Sequence, residues 1–227
     1  MQRLLFVLAA ALMLGGCNMV YAEQPLFTAA DAAGAPVLRP GIWSKRAADC
    51  VVDAAKPISE WPECADPVLV TADRIGDPGK PDKQGPYLLA GGDPRVMQME
   101  LKLEPDKPAI WIFVGLRPLR TDAQGRITEA RTWMVQCGPP PPPRPEPVET
   151  PAPPANETPE QAEARIQAEI AATVAAGVTR EPLPGLEIKE GMCIARDRDP
   201  VRNAASASLA WDDGEESIIY WVRDGAE

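Results

Sequence analysis

The sequence predicts an α+β protein built mainly on an antiparallel β-sheet meander, with a C-terminal helix and a Pro-rich insertion followed by a helix. Three observations carry this expectation. Residues 95–103 alternate, Met97, Met99, Leu101 and Leu103 on one face and Gln98, Glu100 and Lys102 on the other, the period of a half-buried strand. Residues 109–114 are apolar throughout and rich in β-branched and aromatic side chains, as in a central strand. Many of the 27 prolines crowd into one run after Cys137, where the missing amide donors exclude a packed core.

The chain opens with Arg3, an unbroken apolar stretch from Leu4 to Leu14, and then small residues, the order of an export signal. About 11 apolar residues at 1.5 Å rise cover about half of a roughly 30 Å hydrocarbon core, so removal is expected rather than retention as a span. Leu14-Gly15-Gly16-Cys17 ends this stretch, and Val20-Tyr21-Ala22 offers a second set of small residues for an ordinary secretory cut. The first motif resembles the lipobox of bacterial prolipoproteins. That resemblance implies cleavage before Cys17, acylation of its sulfur and new amino terminus, and a membrane partner reached through this anchor. In the resembled family a non-aspartate such as Asn18 after the cysteine implies the outer membrane of a Gram-negative cell, facing the periplasm. The signal peptide is then residues 1–16.

Residues 17–40 are alanine-rich without strong periodicity and read as a tether, with one helical turn at 28–33. The folded part is expected to span residues 41–138 and 178–227. Gly41-Ile42-Trp43 at its start resembles the first strand of lipocalins, and that likeness implies a barrel whose floor the tryptophan closes. A core-packed aromatic at a strand start is the simpler reading. Val68 to Thr71 forms a strand, and Asp77 to Asp82 a loop whose Pro78 and spacing rule out a phosphate cradle. Residues 116–121 and 127–137 flank Asp122-Ala-Gln-Gly125-Arg126 as a hairpin. The Pro-rich insert and its helix occupy 139–177, the helix opening at a Thr158-Pro-Glu-Gln161 capping box and stopping at Gly177. A helix over 200–211, with Asp199 as N-cap, and a strand over 217–223 close the chain. That helix, that strand and Trp43 supply enough bulk to cover the methionine face.

Composition limits the chemistry. There is no histidine, which removes His-based triads and ordinary zinc sites, and no catalytic motif is present; neither cofactor nor metal is implied. The acids Asp197, Asp199, Asp212, Asp213, Glu215 and Glu216 fit a helix N-terminus and a solvated turn better than a calcium loop. A formal charge of −10 argues against nucleic acid as a partner. Of five cysteines, four remain after Cys17, an even set suited to an oxidising compartment. Three connectivities are possible. Cys50 with Cys64, with Trp61 over the bridge, and Cys137 with Cys193 are expected; they close loops of about 15 and about 57 residues, for about 3 and about 4 kcal/mol of chain-entropy stabilisation. The functional expectation is a membrane-anchored extracytoplasmic lipoprotein with a non-enzymatic binding or envelope-structural role and a possible envelope protein partner. The alternative is a lipocalin-like carrier of a small apolar ligand.

Overall fold

Eight strands close on themselves. In the computed structural model, which describes residues 18–102, 107–139, 158, 161, 162, 164, 165, 168, 181–189, 192–211 and 217–225, the ring runs through β2 (Gly41–Lys45), β3 (Val68–Val70), β4 (Arg74–Gly76), β5 (Gln84–Ala90), β6 (Arg95–Leu101), β7 (Ile110–Thr121), β8 (Ile127–Met134) and β11 (Ser217–Arg223). Each pairs antiparallel with the next, β11 returns to β2, and the β6–β7 pairing completes the barrel. The antiparallel meander is therefore present, and its closure is the feature the strand patterns did not announce. Closure removes the sheet edges that an open meander would expose.

Alternation sorts the side chains. Trp43, Val70, Leu89, Met97, Val114 and Leu116, from five different strands, are all buried and meet in one cluster, so this face points into the barrel. The floor is closed by Leu38, 1 % exposed, and by both indoles: Trp43 Nε1 donates to Arg39 O at 2.9 Å and Trp221 Nε1 to Pro40 O at 3.0 Å. The Arg39 guanidinium lies 3.4 Å over the Trp221 ring. Tyr87 and Met99 continue the interior toward the opposite end and are only half-buried. Burial pushes the Tyr87 phenol up to about 12, Asp73 adding to the effect, and its hydroxyl donates to Thr71 O at 3.2 Å.

The helix α2 (Arg198–Trp211) lies outside the barrel. Its Val201, Ala204 and Ala205 pack against Val96 and Phe113, on the wall face opposite the methionines. The expectation that this helix covers the methionine face is corrected: that face is filled by the barrel's own side chains, including Trp43 and those of the final strand. Asp199 falls inside the first turn of α2 rather than at its N-cap, because the helix begins at Arg198. Trp133 Nε1 donates to Ala205 O at 2.8 Å, tying helix to wall.

Residues 109–114 and 116–121 are one continuous strand, not two. Gly115 does not break it; a Cβ there would sit 2.2 Å from Trp133 Cε2, so the glycine makes room for that indole. Strands β4 and β5 had no expectation of their own.

The tether reading fails for residues 18–40. Strand β1 (Val20–Ala22) pairs antiparallel with β7 and parallel with β10 (Met192–Ala195), which pairs with β9 (Leu186–Lys189), adding three strands to the barrel wall. Val20, Phe27 and Leu38 are no more than 2 % exposed. Gln98, expected to face solvent, holds this segment in place: Oε1 accepts from Leu26 N (2.7 Å) and Phe27 N (2.9 Å), and Nε2 donates to Phe27 O (3.2 Å). A three-residue strand has too few positions to show a period, and a lone Phe or Leu among alanines carries no pattern, so the packing is legible only from the partners. The short helix α1 (Ala29–Ala32) is the expected turn. Its Asp31 accepts from Thr28 N and Oγ1 and pairs with Arg198 of α2 at 2.7 Å.

The Thr158 capping box is formed, Thr158 N donating to Gln161 Oε1 and Gln161 N to Thr158 Oγ1. The proline run after Pro139, most of the following helix, and the acids Asp212 to Glu216 lie outside the described residues.

Candidate membrane-anchor site

Cys17 itself lies outside the described residues, but its chain neighbour does not. Asn18 is 7 % exposed, and its Nδ2 donates to Gly138 O at 3.0 Å and Gln136 Oε1 at 3.2 Å. Its own carbonyl accepts from Cys137 N at 2.7 Å. One residue pair further, Val20 N donates to Val135 O at 2.9 Å while Val20 sits beside Cys193 across the parallel β1–β10 pairing. Thus the first strand enters a slot whose two walls are the chain leaving β8 and strand β10.

The Cys137–Cys193 bridge joins those two walls, with Cα atoms 5.8 Å apart. Both cysteines are fully buried, and Leu183 N donates to Cys137 O at 2.7 Å, so the return of the chain after the insert is fastened at the same point. The second bridge, Cys50–Cys64, closes the loop after β2. Trp61, Ile42 and Ala65 pack there with Cys50 against the outer wall, and Ser44 Oγ donates to Ala65 O at 2.6 Å. Both pairings are those the spacing favoured. Cys137 and Cys193 lie in the apolar core beside the helix, whereas Cys50 is half-buried against the Trp61 cluster and Cys64 is exposed.

Near the other end of β1 a surface cleft of about 210 Å³ lies between Ala22 to Leu26 and Ile194 to Arg196. It is smaller than the roughly 300–1,000 Å³ of ordinary small-molecule sites. Among the acids considered in the sequence, Asp197 and Asp199 flank the start of α2, and Asp199 stands 3.9 Å from Arg198. A different acid is buried: Glu129, held by Arg46 at 2.8 Å and Arg120 at 3.2 Å, with Arg46 also over the Tyr220 ring. Its strand position gave no signal, since a charge in a β-strand reads as solvent-facing.

The fold and slot define a class, an eight-stranded up-and-down β-barrel to whose wall the strand Val20–Ala22 is paired. Comparison of the chain with protein-family models, curated proteins and solved structures gives no match.

Proposed function

We propose that this chain is a lipoprotein of the Gram-negative envelope, anchored by acyl groups on Cys17 in the outer membrane facing the periplasm, whose barrel is a non-enzymatic binding or envelope-structural module. The observation that carries the anchor reading is the burial of Val20, Tyr21 and Ala22 at 0 %, 8 % and 1 % exposure. The competing secretory cut after Ala22 would discard all three, with the Asn18 contacts. Burying a large apolar side chain stabilises by about 1.5–3 kcal/mol, so that cut removes on the order of 5 kcal/mol from a domain whose net stability is about 5–15 kcal/mol. Cleavage before Cys17 keeps the whole strand.

The test is mass spectrometry of the mature N-terminus purified from a Gram-negative host. A diacylglyceryl-modified Cys17 at the first position is expected. An unmodified terminus at Glu23 on a folded protein overturns the anchor reading.

A second reading has its own observation. Closure of the meander, with Trp43 at the floor, is the barrel type that the Gly41-x-Trp43 likeness implies for a carrier of a small apolar ligand. Titration of the barrel with apolar dyes and fatty acids separates the two.

A further inference from the structure

Acylation of Cys17, on which this inference rests, places the lipid one peptide bond from Asn18, about 3.8 Å between Cα atoms. Asn18 is already fixed by its side chain and its carbonyl. No leash therefore separates the anchor from the folded domain, and whatever surrounds the start of β1 is carried to the bilayer surface.

We propose that the domain lies directly on the membrane that holds its acyl chains, with the Lys189 and Met192 end of the β9–β10 hairpin and the end of β8 as the contacting face and Met192 and Met134 entering the lipid interface. The register puts these residues there. Because β1 and β10 run parallel with Val20 beside Cys193, the Met192 end of β10 lies at the Asn18 end of β1. Met134 adjoins Val135, whose carbonyl accepts from Val20 N. Cys193 and Val135 point into the helix-side core, so their neighbours Met192 and Met134 face away from it. Both are more than a third exposed, at 44 % and 40 %. Ile188, paired with Cys193, is on the other face of the hairpin.

Among the described residues, the remaining exposed large apolar side chains are elsewhere. Val37 and Leu119 lie toward the barrel floor, and Val51 is on the disulfide-closed loop. Exposed Lys189, opposite Met192 on the hairpin, has a stem long enough to follow apolar surface while its ammonium meets lipid phosphates. A chain of net charge −10 is repelled by an anionic bilayer over most of its surface. That repulsion favours one small apolar contact over rolling across several faces.

A photoreactive benzophenone amino acid is placed in turn at positions 192, 134 and 37 of the full chain, produced in a Gram-negative host. Samples are irradiated in native envelopes and after reconstitution into vesicles of phosphatidylethanolamine with a minor part of phosphatidylglycerol. The N-terminal peptide of each sample is analysed by mass. Phospholipid adducts at 192 and 134 in several-fold excess over 37, and lost when Cys17→Ser releases the chain, support the face. Equal adduct yields at all three positions, or adducts at 192 and 134 to an envelope protein instead of lipid, on a chain whose Cys17 is acylated, overturn the face and leave the anchor standing. An unacylated N-terminus overturns both, and the mass spectrum alone identifies that case.

Discussion

At the scale of single residues, the N-terminal segment is held by polar side chains placed where apolar ones would be expected. Gln98 satisfies three backbone groups of the segment at 2 % exposure. Leaving buried amide groups without partners costs about 1–3 kcal/mol each, so Gln98→Ala is expected to lower the unfolding free energy by about 3 kcal/mol in a urea titration, with Met97→Leu as a near-neutral control. Asn18 carries a comparable load. The change most natural for probing membrane sorting, Asn18→Asp, sets a carboxylate against the Gly138 carbonyl that now accepts a hydrogen bond, and is expected to destabilise the domain by about 2 kcal/mol whatever it does to localisation. Asp31 supplies a pH dependence. The Thr28 amide hydrogen bond, foremost, holds its carboxyl below the usual range against some desolvation, with the Thr28 hydroxyl, Arg198 and Arg202 assisting. The stabilisation is therefore complete above the ordinary carboxylate pKa and is lost as pH falls through the lowered one. Asp31→Ala is expected to lower stability by about 1 kcal/mol at neutral pH. That difference from the unaltered protein disappears in acid, well below the ordinary value of about 3.9.

Among the elements, β1 decides the most while showing the least in the sequence. A chain beginning at Glu23 lacks the strand that fills the slot between the end of β8 and β10, and leaves Val135 O, Cys137 N and the edge of β10 without their partners. It is expected to be unfolded or to melt at least about 10 °C lower by circular dichroism, the shift that a loss of several kcal/mol produces in a domain of this size. The longer elements were legible. Alternation found β6, the glycine-containing pentapeptide found the β7–β8 hairpin, and a capping box found the start at Thr158. Most of the losses are short elements: β4 has three residues and β10 four, lengths at which period-2 and period-3.6 patterns are indistinguishable, while the seven-residue β5 was hidden by Gly85 and Pro86, which weaken a strand signal. Gly115 misled in the opposite direction, ending an apolar run in the sequence while serving in the fold as the gap into which Trp133 packs. The proposed anchor motif is a contiguous string of four residues, whereas the slot beside it depends on residues more than 100 positions away.

For the molecule as a whole, closure of the barrel is implied only by the Gly41-Ile42-Trp43 likeness and by no strand period, since it depends on β11 finding β2 across nearly the full chain. It also raises the functional question afresh, because an open sheet must be covered from outside whereas a barrel can be filled or hollow. The interior cluster favours filling: Trp43, Leu116 and Ile127 are at most 2 % exposed, Met97 is 4 % exposed, and Leu38 seals the floor from below. The end away from the floor is looser, with Met99 and Tyr87 half-buried, and flexible thioethers suit adaptable apolar contacts. A structural module is expected to bind fatty acids and environment-sensitive apolar dyes no tighter than about 100 μM, as a packed core leaves no room for them. The measurement uses the soluble form carrying Cys17→Ser, delipidated, and repeats the titration with Met99→Trp. Because Met99 points into the barrel opposite Tyr87 and Ile112, the added indole occupies the space a ligand would need. Stoichiometric binding below about 1 μM, abolished by Met99→Trp in a domain that still melts cooperatively, overturns the structural role and establishes the carrier. Weak binding unchanged by Met99→Trp leaves the barrel as a filled scaffold, with its function on the outer surface.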